Sequence, residues 1–156
     1  MDYREAYEKA LQLLNVRFLS EGELKAKLRR RGVDDDVLED VVAALEGEHF
    51  LDDQRLARDV YRYYARKWQY GHLFIVNRLR RRCPAPCPCC PGCLRRRCLP
   101  VPEDVERPDE YALAGDLVKR KFSYRADEAR KAARFLQYRG FSPSVIREVL
   151  EDFTVH

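Results

Sequence analysis

The sequence predicts an all-α protein: three tandem three-helix, helix-turn-helix-like repeats in an elongated chain, with an irregular Cys/Pro-rich segment in the second repeat. Three observations carry that reading. Apolar residues recur at three- and four-residue spacings, the period of one helical face. Residues that start and stop helices stand at the ends of those periodic stretches. The same arrangement also returns along the chain: Leu28, Leu79 and Leu136 hold matching positions, a period of 51 and then 57 residues.

The first repeat is taken as residues 1–49. Tyr3, Ala6, Tyr7, Ala10, Leu13, Leu14 and Phe18 line one face of its first helix. Ser20 precedes Glu23 by three positions, a capping box in which each side chain satisfies a free backbone N–H at the start of a second helix. That helix runs through Leu24 and Leu28 to Gly32, a residue free to take the left-handed conformation at a helix end. Asp34 is expected to cap the third helix, whose apolar face is Val37, Leu38, Val41, Val42 and Leu45.

The second repeat is taken as residues 50–104. Its first helix spans Asp52 to Trp68, with Leu56, Ala57, Val60, Tyr61 and Tyr64 on one face. Asp52-Asp53 resembles a paired carboxylate, but its position at a helix start makes capping the better account. A second helix begins near Gly71-His72-Leu73 and ends at Leu79-Arg80-Arg81-Arg82. There the pattern breaks. Where the other repeats place Gly and a capped helix, this one reads Cys83-Pro84-Ala85-Pro86-Cys87-Pro88-Cys89-Cys90-Pro91. Proline removes a donor and clashes with the preceding turn, so a third helix is expected to be missing or displaced, leaving residues 83–102 irregular.

The third repeat is taken as residues 105–156. Its long first helix, Asp109 to Phe122, carries Leu113, Leu117, Val118 and Phe122. Leu136-Gln137-Tyr138-Arg139-Gly140-Phe141 then answers Leu28-Arg29-Arg30-Arg31-Gly32-Val33. Ser142 caps the last helix, Pro143 sits in its first turn where no N–H is needed, and Val145, Ile146 and Val149 form its face.

Composition narrows the function. Lys and Arg number 30 against 26 Asp and Glu, a net charge of +4 that favours acidic partners but is too mild to specify nucleic acid. No apolar run nears the roughly 18 residues of a membrane helix, and the first residues do not read as a signal peptide. A soluble, cytoplasmic monomer with no membrane partner is expected. All six cysteines fall between Cys83 and Cys98, unlike the spread of a disulfide-stapled secreted chain. Cys87-x-x-Cys90 and Cys90-x-x-Cys93 have zinc-ligand spacing, with Cys83 and Cys98 as further thiolates, but overlapping motifs cannot both be fully used. The stretch reads as a metal site, an irregular linker or a frame-changed segment. Resumption of the repeat at nearly the right length favours the last, and no cofactor is expected.

No phosphate-cradling glycine loop and no HExxH motif occurs, and His49, His72 and His156 stand alone. An enzyme is not expected. Basic clusters recur instead at the ends of second helices: Arg29, Arg30 and Arg31; Arg80, Arg81 and Arg82; and Arg139. Arg66, Lys67 and Arg78 enlarge the middle group. Cations at a helix C-terminus complement its dipole, which accounts for them without any partner. The same guanidiniums would also bind phosphates or carboxylates. Trp68 and the tyrosines at 61, 63, 64 and 70 would suit base stacking, although helical spacing favours packing.

The pattern resembles the RecX family, regulatory proteins of the bacterial recombinase RecA. The resemblance rests on Ser20-Glu21-x-Glu23-Leu24-x-x-Lys27-Leu28, Gly32, and Phe50-Leu51-Asp52-Asp53. It continues through Arg66-Lys67, Tyr70-Gly71, Arg78-Leu79, Lys119-Arg120-Lys121-Phe122, Phe135-Leu136, Gly140-Phe141 and Val145-Ile146. It covers residues 1–82 and about 104–153. Two positions depart: Cys83 stands where Gly and a further helix are usual, and Phe74 where a basic residue usually precedes Ile75. The resemblance implies a non-enzymatic regulator that lies in the helical groove of the RecA–DNA filament and limits recombinase and ATPase activity in DNA repair, recombination and the SOS response. Arg29, Arg30, Arg31, Lys67, Arg78, Arg80, Arg81 and Arg82 are the expected contacts with RecA or the DNA phosphate backbone. A direct nucleic-acid-binding helical module and a zinc-stabilised scaffold are the alternatives.

Overall fold

The computed structural model describes residues 1–82, 99–122 and 126–155, apart from the side chains of residues 126 and 153–155. These residues are all-helical: α1 (Tyr3–Val16), α2 (Glu21–Arg30), α3 (Asp35–Gly47), α4 (Asp53–Arg66), α5 (His72–Arg81), α6 (Glu110–Lys121), a 3-10 turn (Ala126–Glu128), α7 (Ala129–Tyr138) and α8 (Pro143–Val155). The proposed thiolates Cys83, Cys87, Cys90, Cys93 and Cys98, and the expected break in the third helix of the second repeat, lie outside the described residues. Residues 99–102 carry no helix.

Two compact units result. One holds Met1–Asp59 and Leu79–Pro102; the other holds Val60–Arg78 and Glu103–His156. The division falls within α4 and α5. The repeat boundaries read from the sequence follow internal similarity, whereas this division follows compactness.

In the first unit α1, α2 and α3 close on Ala6, Ala10, Leu24, Leu28, Leu38, Val41 and Leu45, all buried. Burying each of those leucines contributes roughly 1.5–3 kcal/mol. The capping box forms as expected: Ser20 Oγ accepts from the Glu23 N–H at 3.1 Å, and Glu23 Oε1 accepts from the Ser20 N–H at 2.9 Å. Two local expectations fail. Asp34 occupies the N-cap position of α3, yet its side chain makes no capping bond. Helix α1 ends at Val16 because Arg17 turns extended, with φ −160° and ψ 156°, so Phe18 leaves the helical face and is 66% exposed.

The Phe50-Leu51-Asp52-Asp53 junction is a compact corner. His49 takes φ 66°, a left-handed turn usually given to glycine, and the N–H groups of Phe50 and Leu51 both reach the Leu45 carbonyl. Asp52 caps α4, accepting from the Arg55 N–H at 3.1 Å. Asp53 instead caps a different helix: its Oδ1 accepts from the Glu21 N–H of α2 at 2.9 Å. Lys25, 3% exposed in its side chain, bridges Glu21 at 2.9 Å and Glu39 at 3.0 Å.

In the second unit α6, α7 and α8 bury Leu113, Ala114, Leu117, Val118, Ala132, Leu136 and Phe141. The start of α5 is stitched to the corner between α7 and α8. The Gly71 N–H donates to the Arg139 carbonyl at 2.7 Å, and the Leu73 N–H to the Gly140 carbonyl at 3.1 Å. This approach requires glycine on both sides. A Cβ at Gly71 would strike the Gly140 carbonyl, and one at Gly140 (φ +87°) would strike the Phe74 backbone.

Candidate interaction surface

Each predicted cation has a definite setting. At the end of α2, Arg29 Nε lies 3.0 Å from Asp35 Oδ1, while Arg30 and Arg31 are exposed. At the end of α5, Arg80 and Arg81 are exposed. Among the described residues, these four exposed guanidiniums have no carboxylate partner. Arg82 differs: it forks onto Glu23, Nη2 to Oε1 at 2.9 Å, and reaches the Phe18 carbonyl at 3.0 Å. That bond also fixes where the clusters lie. Glu23 sits in the first turn of α2 and Arg30 at its end. Arg82 therefore meets the first turn of α2 while the Arg29–Arg31 group stands at its other end, roughly 10 Å along the axis at 1.5 Å per residue. Repeat equivalence does not bring the two clusters together.

The second unit holds four of its cations over aromatic rings. The Lys67 ammonium lies 4.5 Å from the Tyr63 ring centre, and hydrogen bonding to that phenol raises its pKa. Tyr70 and Phe74 stack at 4.0 Å with 9° between planes, and Tyr64 meets both edge-on. Arg78 lies 5.0 Å over Phe74, and Arg139 lies over Tyr70 and Phe135. Lys121 continues the series 4.3 Å over Phe135. Phe74, the departure from the family pattern, is therefore the ring that carries Arg78. Cation–π contacts of this kind contribute about 0.5–1 kcal/mol at exposed sites and hold the charges in place.

Tyr61 and Trp68 serve packing. Tyr61 is fully buried, its hydroxyl 2.9 Å from His72 Nδ1, and the His72 backbone N–H donates to Glu110 at 2.8 Å. Burial first, and the Arg107 charge second, lower the His72 pKa. Trp68 takes φ 55° and donates its Nε1–H to Asp116 at 3.1 Å.

Sequence reasoning missed the cations of α7. Arg130, Lys131 and Arg134 are exposed, and α7 contains no acidic residue. Arg130 and Lys131 lie in its first turn, where a positive charge opposes the helix dipole. Arg134 follows Arg130 by four positions, a like-charge spacing that destabilises a helix. The acids of this helix start, Asp127 and Glu128, lie in the 3-10 turn just ahead of these cations. The signal available in the sequence was the cluster Arg130, Lys131 and Arg134 on a helix without an acid of its own.

Among the described residues no group of three or more His, Cys, Asp or Glu side chains is arranged to hold a metal, and no helix is long and apolar enough to cross a membrane.

Fold and surface define a class: an all-helical protein of three-helix domains with exposed cations gathered at helix ends. Comparison with known proteins makes that class specific. The profile of the first three-helix domain of RecX matches residues 6–45, and that of the third three-helix domain matches residues 108–150. Regulatory protein RecX of Geobacillus kaustophilus is 28% identical over 168 residues, covering 99% of this chain and 56% of that protein. Regulatory protein RecX of Pelodictyon phaeoclathratiforme is 30% identical over 146 residues, covering 90% of this chain and 84% of that one. The crystal structure of RecX from Lactobacillus salivarius has the same fold, with a TM-score of 0.74 at 20% identity over 99% of this chain and 98% of that chain. The chain belongs to the RecX family of regulatory proteins. It spans a little over half the length of its Geobacillus relatives.

Proposed function

We propose that this chain is a non-enzymatic regulator that binds RecA, lies in the groove of the RecA–DNA filament, and restrains recombinase and ATPase activity in DNA repair and recombination. Family membership carries the proposal, and the exposed guanidiniums at the ends of α2 and α5 supply its chemistry. Arg30, Arg31, Arg80 and Arg81 meet carboxylates of RecA or phosphates of the DNA. Arg29 and Arg82 have internal carboxylates and support the cations beside them. Lys67 and Arg78, held on aromatic rings, add contacts from the second unit. The protein acts in the cytoplasm as a monomer, with repeats bounded near 49/50 and 104/105. The test is RecA ATPase activity on single-stranded DNA with this protein present below stoichiometry. Inhibition that Arg80→Glu with Arg81→Glu relieves is the expected result; unchanged ATPase activity counts against the proposal.

A second reading has its own support. The exposed cations of α7 fit direct binding of nucleic-acid phosphates, since Arg130 and Arg134 stand one turn apart as like charges on a helix without an acid of its own. RecA-independent binding to DNA that weakens steeply with salt, and that Arg130→Ala with Arg134→Ala reduces, is the result that favours it.

A further inference from the structure

The first unit contains a groove that the cationic clusters do not use. It lies between the end of α1 and the corner joining α3 to α4, with a volume of about 800 Å³. Leu14, Val16, Phe18 and Phe50 form its apolar wall, and Arg17 and Arg55 its polar part. Val16 is 85% exposed, Phe18 66% and Phe50 49%. Large apolar side chains scattered singly over a surface need no explanation, but three around one concavity do.

The corner is also fixed in shape by backbone geometry and one side-chain bond. The left-handed turn at His49 places Phe50, while Arg55 Nη2 donates to the His49 carbonyl at 3.0 Å. The extended Arg17 turns Phe18 out of α1. The charge has one sign: Asp and Glu are absent from the lining. Arg55 has no carboxylate partner among the described residues, and Arg17 reaches Glu23 only at 3.6 Å while 58% exposed.

We propose that this groove docks a partner-protein segment carrying two or more large apolar anchors flanked by Asp or Glu. The anchors fill the Val16–Phe18–Phe50 trough, and the carboxylates meet Arg17 and Arg55. A nucleic acid fits less well, because its backbone needs a track of cations rather than two beside an aliphatic wall. Helix-in-groove recognition uses this combination of spaced apolar anchors and bordering charges. The inference stands whether or not the partner is RecA.

A displayed library of random peptides, selected on the whole chain, reads the chemistry of the occupant directly. The expected peptides are net acidic with at least two large apolar residues. Val16→Glu and Phe18→Asp should each weaken them by about tenfold or more, measured by fluorescence anisotropy. Arg55→Glu should weaken them as well, and strengthen versions whose acids are replaced by Lys. Both apolar positions are exposed, so far-UV circular dichroism should be unchanged, confirming that the variants fold. Enrichment of basic or uncharged peptides, no enrichment at all, or binding that survives both Val16→Glu and Phe18→Asp would overturn the proposal. So would a dimer in sedimentation velocity that Val16→Glu dissolves, because the occupant would then be a second copy of this chain.

Discussion

Replacing Arg82 separates a structural guanidinium from its exposed neighbours. Its Nε lies 3.1 Å from both carboxylate oxygens of Glu23, and its Nη2 bonds Oε1 at 2.9 Å and the Phe18 carbonyl at 3.0 Å. The two side chains are only 20% and 16% exposed. Arg82→Ala leaves Glu23 with its capping bond to Ser20 and the 3.6 Å contact with Arg17. A hydrogen bond to a charged group contributes about 1.5–3 kcal/mol, and partial exposure screens some of that, so the expected cost is about 2 kcal/mol. Arg82→Lys retains the charge without the fork and should cost about 1 kcal/mol. Glu23→Gln preserves the cap, since Gln also serves at that position, and so isolates the ion pair. Urea unfolding followed by far-UV circular dichroism measures each variant. In the double-mutant cycle Arg82 and Glu23 should couple by at least about 1 kcal/mol. Arg80→Ala and Arg81→Ala should change stability by less than about 0.5 kcal/mol. A cost for Arg82→Ala below about 0.5 kcal/mol, or one unchanged in the Glu23→Gln background, would mean that the Arg82–Glu23 fork does not stabilise the unit.

Glycine substitutions should separate conformational strain from collision. Gly32 has φ +87° in open space, so Gly32→Ala should cost about 1 kcal/mol. Gly140→Ala adds a clash with Phe74 to the same φ and should cost about 3 kcal/mol or more; equal costs in urea melts would contradict the packing described. Burial raises the Asp53 pKa, with the Glu21 N–H pulling against it and neighbouring carboxylates adding to it. Asp53→Ala should therefore cost about 1 kcal/mol through the lost cap, whereas Asp53→Asn should be neutral or slightly stabilising at pH 7. The advantage of Asp53→Asn should shrink as pH falls toward 3.8, where wild-type Asp53 is itself protonated; an advantage that grows on acidification would be the wrong sign. The lowered His72 pKa makes a contribution fully present above pH 6.5 and lost as pH falls through the folded-state value. Urea midpoints read by Trp68 fluorescence should fall across that window in the wild type, and less steeply in His72→Gln.

The sequence exposed features whose causes are local. The Ser20–Glu23 capping box, the Gly32 helix stop and the apolar faces of α3 and α6 depend on residues within a turn or two of each other. Phe18 was misplaced for the complementary reason: periodicity carried α1 two residues too far, and nothing nearby announced that Arg17 would turn extended. Arg82 looks equivalent to Arg80 and Arg81 in sequence because a run of like residues conceals where α5 ends, and the turn just past Arg81 aims the last of them at Glu23. Asp53 capping α2, and Gly71 meeting Gly140, join residues far apart in sequence, so the pattern showed that these residues matter without showing why. The α7 cations escaped notice because alanines break up their run.

The most direct test of the regulatory account compares two targets for the labelled chain: preformed RecA filaments on single-stranded DNA, and the same DNA bare. Fluorescence anisotropy at moderate salt should show clear preference for the filament, reduced by Arg30→Glu with Arg31→Glu and by Arg80→Glu with Arg81→Glu. Equal or tighter binding to bare DNA, lost steeply as salt rises, would contradict that account and make nucleic acid itself the partner.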